Sequence, residues 1–320
     1  MTAGENPEGV PDGVELVVLG GINMDLVSMM PRFPQAGESV VGTRFLTYPG
    51  GKGANQAVAA ARMGARTSMV GRVGDDIFGP QLVATLESSG IDVSGISVTP
   101  GVSSGIAVID IDESAQNRII QILGANDTCG PDEAQAVIRS LVRASTVLLQ
   151  LEVSPELSLQ VARDAVSQGK RVVLDPGPVR PLPEEFFQYC GVITPNETEA
   201  QALVGFPVVD SDSAERAARW LVDRGVELAV VKLGAMGACY ATSGVGDYVP
   251  PFQVDAVDSV AAGDAFNGAL AVALAEGQDI PQAVRTASAA GALAVTKSGA
   301  QDSMPSREEV EALLRDQPGG

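Results

Sequence analysis

Residues 146–175 read TVLLQLEVSPELSLQVARDAVSQGKRVVLD. Two pieces of strand length, TVLLQL (146–151) and RVVLD (171–175), are near-continuous apolar runs. Such runs belong to strands buried on both faces. Between them, PELSLQVARDAVSQG (155–169) is of helical length and amphipathic, and it ends in glycine, a common helix stop. Strand, helix, strand in this order is the repeating unit of a parallel sheet.

The same rhythm extends in both directions. ELVVLG (15–20), RTSMVG (66–71), GVIT (191–194) and ELAVVKL (227–233) read as further buried strands. ANQAVAAARMG (54–64), DEAQAVIRSLV (132–142) and SAERAARWLVDRG (213–225) read as further helices. The pattern predicts an α/β fold with a mostly parallel sheet covered on both faces, and 320 residues suffice for one large unit of that kind. Two segments break the rhythm. One runs from about Leu26 to Pro49, where Pro31, Pro34 and Gly37 stand in place of a helix. The other, GIAVIDIDESAQNRIIQIL (105–123), has two β-rich arms around a polar turn and reads as a hairpin. Both fit a small accessory sheet, and both fit an ordinary edge extension of the main one.

Composition removes several functions. The formal net charge is −19 and no basic run offsets it, so nucleic acid and anionic membranes are disfavoured partners. Aromatic residues make up only 4%, against a base-stacking surface. Histidine is absent, which excludes Ser–His–Asp hydrolysis and HExxH zinc chemistry; proton transfer falls to other side chains. Three cysteines, Cys129, Cys190 and Cys239, lack CxxC spacing, which points to a reducing compartment without zinc. The polar, acidic residues 1–13 are unlike a signal peptide and are expected to be a disordered tail, with a cytoplasmic location for the chain.

In a doubly wound sheet, ligands gather beyond the carboxyl ends of the strands. GGINMD follows the first strand, and Asn23 and Asp25, two apart, point the same way in an extended chain. They could hold polyol hydroxyls or form an Asx turn. PGGKGAN surrounds Lys52 with Gly50, Gly51 and Gly53 just before a helix. It is neither a Walker A loop nor a GxGxxG fingerprint, but it lets backbone approach a ligand closely. Glu152 ends a strand. Asn196 and Glu199 in TPNETEA have capping-box spacing and also suit the neighbourhood of metal-bound phosphate. The turn from Gly234 through Ala235 to Gly237 could cradle a nucleotide edge or simply join two strands.

VAAGDAFNGA (260–269) carries the strongest signal. Ala261, Ala262 and Gly263 leave the start of a helix bare, where N–H groups and the helix dipole favour an anion. Asp264 beside them could accept a hydroxyl proton while that oxygen attacks a phosphoryl group.

Together, GGINMD, GGKGANQAVAAARMGA, QLE, ITPNETEA, KLGAMG, AVDSVAAGDAFNGAL and AVTKSGAQDSMP resemble the ribokinase family of carbohydrate kinases, also called the PfkB family, in collinear order over about 14–314. The resemblance implies a three-layer α/β/α core with a small β-sheet lid, a single kinase domain over 14–320 with lid segments near 26–49 and 105–123, and a homodimer contact through the lid. It implies ATP, Mg²⁺ and a potassium-type ion, with transfer of a phosphoryl group to the 5-hydroxyl of D-ribose. By matching position, Asn23, Asp25, Gly51, Lys52, Asn55 and Glu152 hold the sugar. Asp264 is the base, and Ala261, Ala262 and Gly263 give the anion hole. Asn196, Lys232, Gly234, Ala235, Gly237, Gly263 and Ser288 lie along the nucleotide. Asn196 and Glu199 match the motif linked to Mg²⁺, and Asp258, Val260, Ala294, Lys297, Gly299 and Ser303 the monovalent cation site. DPGPVR (175–180) departs from the family's Asn-Pro-Ala-Pro form, Ala261 stands where Gly is usual, and Ser288 where His or Asn is frequent. The alternatives are a kinase of another furanose or a nucleoside, an inactive sugar-binding regulator, and a nicotinamide oxidoreductase; the low aromatic content, the intact Asp264 loop and the missing fingerprint speak against them in turn.

Overall fold

The computed structural model describes residues 13–114 and 116–318. The expected tail at 1–13 lies, apart from Gly13, outside the described residues. The chain forms strands β1 (Glu15–Leu19), β2 (Asn23–Met30) and β3 (Arg44–Gly50), helix α1 (Lys52–Arg62), β4 (Arg66–Gly74), α2 (Gly79–Ser88), β5 (Asp92–Thr99), β6 (Gly105–Asp112), β7 (Asn117–Ile122) and α3 (Pro131–Ser140). It continues through β8 (Thr146–Gln150), α4 (Pro155–Ser167), β9 (Arg171–Asp175), β10 (Val192–Ile193), α5 (Glu197–Val204), α6 (Ser211–Val222) and β11 (Leu228–Lys232). The hairpin β12 (Ala238–Ala241) and β13 (Gly246–Val249) precedes α7 (Ala262–Ala275), α8 (Ile280–Ala294) and α9 (Arg307–Asp316).

Nine strands form the main sheet in the order β13-β12-β11-β10-β9-β8-β1-β4-β5. Every pairing from β11 to β5 is parallel, while β12 and β13 are antiparallel additions. Alternate residues of one strand feed different cores. Leu16 and Val18 of β1 pack with α1, α7 and α8, and Val17 and Leu19 with α3, α4 and α6. That is the three-layer α/β/α arrangement, and it explains why the central strands are unbroken apolar runs. Strand β5 escapes a reading from sequence because it is half exposed, with polar residues among its apolar ones.

The two segments that break the rhythm do form a separate four-stranded sheet, ordered β3-β2-β6-β7. Its small core is Val27, Ala107 and Ile109. Strand β2 begins at Asn23, earlier than the expected boundary near Leu26, because its backbone pairs with β3 and β6 over its whole length. Asn23 and Asp25 therefore stand on a strand of the smaller sheet, and the Asx-turn alternative does not hold. Helix α1 likewise begins at Lys52, two residues before the sequence pattern, since the Glu152 carboxylate accepts the Lys52 N–H at 2.7 Å. Gly51 precedes it at φ 91, and a Cβ there would lie 2.6 Å from the Gly21 carbonyl oxygen. No described helix is long and apolar enough to cross a membrane.

Candidate active site

Most helices of the chain are closed at their starts by side chains. Ser154, Asn196, Asp210, Asp279 and Ser306 each accept an N–H of the first turn. Helix α7 has no such cap. Its N-terminal flanking residue, Ala261, is left-handed at φ 60 and ψ 8, the one non-glycine with positive φ among the described residues. No acceptor among the described residues takes the N–H groups of Gly263 or Asp264. A Cβ built on Gly263 would meet only the Lys232 Nζ, at 3.4 Å. Small residues thus leave an open, positively polarised hole, as the sequence pattern predicts.

Asp264 sits at this helix start, 5% exposed. Asn55 Nδ2 donates to its Oδ2 at 2.9 Å, and Gln56 Nε2 to its Oδ1 at 3.1 Å. Burial raises its pKa above the ordinary carboxylate value; the Lys52 ammonium opposes the rise and the Asp175 charge adds to it.

On one side of Asp264 the strand ends bring together Asn23, Asp25, Gly51 and Glu152. Asn23 Nδ2 donates to Glu152 Oε1 at 3.1 Å, and its own Oδ1 accepts from Asn126 Nδ2 at 2.7 Å. The Gln121 amide, from β7 of the smaller sheet, also donates to Glu152 Oε1. Asp25 is buried beside Gly50, and no described group hydrogen-bonds its carboxylate. Burial, then the nearby Glu152 and Asp264 charges, push its pKa to about 7. Burial raises Glu152 to about 7 as well, against the pull of Lys52. Two carboxylates that are acceptors when ionised, flanked by amides, suit a small polyhydroxylated molecule.

On the other side lie the cations. Lys52 Nζ is 3.0 Å from Asp175 Oδ2 and 4.0 Å from Glu199 Oε1. Lys232 Nζ is 3.7 Å from Asp175 Oδ1, and the Lys232 backbone bridges Asn196. Asn196 and Glu199 form the full capping box of α5: Glu199 N–H donates to Asn196 Oδ1 at 2.8 Å, and Asn196 N–H to Glu199 Oε2 at 2.9 Å. Gly234, Ala235 and Gly237 make the turn between β11 and β12, with Gly234 and Gly237 at positive φ.

Beyond the hole, Asp258 gathers two backbone segments. Its Oδ1 accepts from Val260 N at 3.0 Å and its Oδ2 from Gly299 N at 3.3 Å. The Ala294 carbonyl accepts from Lys297 N, whose ammonium pairs with Glu309, and the buried Ser303 hydroxyl donates to Ala300 O. Ser288 donates its hydroxyl to Val284 O of its own helix.

Four buried polar residues around this site were not singled out by sequence: Gln56, Asn126, Gln150 and Asp175. Gln150 Nε2 donates to Gln56 Oε1 at 2.6 Å, and Gln56 Nε2 donates to both Asp175 and Asp264. The available signal was a polar side chain set inside apolar surroundings, such as Gln56 on the all-small face of α1.

Comparisons with known proteins show the family and the fold. Residues 14–307 match the pfkB family carbohydrate kinases. A ribokinase of Bacillus subtilis is 39% identical over 299 residues, covering 93% of this chain and 99% of that protein. A deoxyribokinase of Salmonella typhi is 36% identical over 302 residues, covering 94% and 99%. The solved Arabidopsis thaliana ribokinase, complexed with ribose and ATP, superposes with a TM-score of 0.87 at 32% identity, covering 95% of this chain and 99% of that one.

Proposed function

The chain belongs to the pfkB family of carbohydrate kinases, and from that premise we propose that it transfers the γ-phosphoryl group of ATP to the 5-hydroxyl of D-ribose. The observation that carries the reading is the uncapped start of α7 with Asp264 buried inside it. Asn23, Asp25, Gly51, Asn55 and Glu152 hold the sugar hydroxyls, with Lys52 at the boundary between sugar and phosphates. Asp264 accepts the 5-hydroxyl proton as that oxygen bonds to the γ-phosphorus. The bond from phosphorus to the β–γ bridging oxygen breaks, and ADP leaves. The free N–H groups of Gly263 and Asp264 and the Lys232 ammonium stabilise charge on the transferring group. Asn55 and Gln56 aim the Asp264 carboxylate throughout. Asn196, Lys232, the Gly234–Gly237 turn and Ser288 border the nucleotide.

Among the described residues, no group of three or more acidic, histidine or cysteine side chains is arranged to hold a metal ion. This donor set fits a Mg²⁺ held mainly by phosphate oxygens and water, with Glu199 Oε1, left free by the capping box, as a carboxylate oxygen that would support it. When bound, Mg²⁺ neutralises phosphate charge. A K⁺-type ion fits the Asp258 loop, where Asp258 draws the Val260 and Gly299 backbones together; Ala294, Lys297 and Ser303 complete it. The smaller sheet acts as the lid. Its outward face, with Phe45 63% and Ile120 62% exposed, supports dimer contact there.

The test is a panel of acceptors assayed for ADP formation with ATP, Mg²⁺ and K⁺: D-ribose, 2-deoxy-D-ribose, D-fructose and adenosine. Ribose should give the highest kcat/KM and a 5-phosphate product. Silence with ribose and turnover with fructose or adenosine would overturn the reading.

A further inference from the structure

Resting on that phosphoryl-transfer reading, we propose that Gln121 of β7 binds the sugar and helps to set its specificity. Its side-chain amide is held to Glu152 by the nitrogen end and offers its oxygen to a ring hydroxyl of the acceptor. None of the positions that the resemblance places around the sugar lies on β7. The strand nevertheless sets this residue apart. Ile119, Ile120 and Ile122 are 58%, 62% and 44% exposed, whereas Gln121 is the one residue of β7 that is not exposed. A strand that only covered a pocket would send its apolar side chains inward and leave the polar one in water. Here the amide goes in, and an amide taken out of water needs partners.

The strand register shows which way it faces. Asp25 of β2 pairs with Ala107 of β6, and Ala107 pairs with Gln121. Side chains directly across neighbouring strands share one face of a sheet. Asp25 and Gln121 therefore stand on the same face, two strand spacings or about 10 Å apart in backbone. Only the Ala107 methyl lies between them. The result is a trough with a carboxylate on one wall and an amide on the other. Glu152 closes it, since Asn23 Nδ2 and the Gln121 amide both donate to Glu152 Oε1.

Glu152 also fixes how the amide is turned. An ionised carboxylate only accepts, so the end of Gln121 that meets it is the NH₂ group, and the carbonyl oxygen is directed away. No described group donates to that oxygen. The other two amides of this cluster are engaged at both ends. Asn23 donates to Glu152 and accepts from Asn126, and Asn126 Oδ1 accepts the Ile22 N–H at 3.0 Å. Glu152 itself is well supplied, with Asn23 and Gln121 on Oε1 and the Lys52 N–H on Oε2. The acceptors left open on the two walls of the trough are the Asp25 carboxylate and the Gln121 oxygen. The second is uncharged, so it rewards a hydroxyl in the right place more than polarity in general. A site built to bond a hydroxyl rejects the analogue that lacks it.

Gln121→Met tests this, because it keeps the length of the side chain and removes both polar ends. Parent and variant are assayed at pH 8, where Glu152 is mostly ionised. The acceptors are D-ribose and its analogues lacking the 1-, 2- or 3-hydroxyl, all of which keep the 5-hydroxyl. With ribose, KM should rise by about tenfold while KM for ATP stays level. With at least one analogue the penalty should fall below about twofold, since the hydroxyl that Gln121 reads is already missing there. A rise in ribose KM below about threefold overturns the proposal. So does a penalty that persists with ribose and all three analogues, because a residue that only tied the smaller sheet to Glu152 would act on every acceptor alike. If Gln121→Met does not fold, Gln121→Leu takes its place in the same panel under the same criteria. Should the parent phosphorylate none of these sugars, the functional reading fails by itself, and calorimetry with the same sugars decides for Gln121. A ribose affinity lowered in the variant and level for one analogue supports the proposal; equal ribose affinities, or no ribose binding by the parent, overturn it.

Discussion

Two sets of buried carboxylates stand on either side of Asp264, and they are kept in opposite electrostatic states. On the sugar side, Asp25 has no hydrogen-bond partner among the described residues and Glu152 accepts from Asn23 and Gln121, and burial pushes both to about 7. Asp175, on the phosphate side, is just as buried. There the Lys232 and Lys52 ammonium groups outweigh burial and hold it below the ordinary carboxylate range. Depth alone therefore does not set charge in this site: the two lysines hold Asp175 down, while burial and the Asp175 charge raise Glu199 beside them. The phosphate side is neutralised in advance within the protein, whereas the sugar-side acceptors are left for hydroxyl donors to satisfy.

The largest expected effect lies at the boundary between the two sets. Asp264→Asn should lower kcat by about 10³-fold while ribose affinity, measured by calorimetry, changes little. A loss of affinity that accounts for the whole defect would place Asp264 with the sugar-side group instead. Next in size, Glu152→Gln removes an anionic acceptor and weakens the start of α1. KM for ribose should rise by roughly 10- to 100-fold with a smaller change in kcat. In the parent, ribose affinity should fall as pH drops below about 7, because protonated Asp25 and Glu152 accept less well. Glu152→Gln should flatten that dependence, and a parent profile level from pH 5 to pH 8 would break the comparison.

The smallest effect concerns stability. Asp25 has a folded pKa raised from 3.8 to about 7, so its contribution to stability is full below about 4 and is lost as pH rises through 7. Asp25→Asn should therefore raise the Tm of the sugar-free protein at pH 8 by roughly a few degrees, with the gain vanishing toward pH 4. An equal Tm shift at both pH values would mean that packing, not charge, distinguishes this residue.

Much of this organisation was legible in the sequence. Buried parallel strands announce themselves as unbroken apolar runs, and bare helix starts as small residues before an acid, so the central strands from β11 to β4 and the α7 hole follow from local patterns. The two proline- and turn-broken segments suggested a second sheet, but pairing alone could decide it: β2 and β6 lie far apart in the chain and meet in parallel register. The charge network was the least legible part. Gln56 reads as one polar residue in an alanine-rich helix, and Asp175 as the acid at a strand end. Their roles depend on contacts with residues more than 100 positions away, such as Lys52–Asp175 and Gln56–Asp264. Asn196 and Glu199 show the limit of motif reading from the other direction, since the capping box and proximity to Lys52 are both realised in one pair.

Only Gly20, Gly21 and Ile22 separate β1 of the core from β2 of the smaller sheet. A side chain at Gly20 would collide with Gln150, and one at Gly21 with Glu152. The joint between the two sheets is thus packed directly against Gln150 and Glu152, the latter proposed to hold the sugar, and it has no slack. Altering the hinge means altering the binding surface, so new acceptor preferences have little room to arise there. Diversification is steered instead to the far rim of the smaller sheet, where the largely exposed chain between β2 and β3 can change length without disturbing that joint.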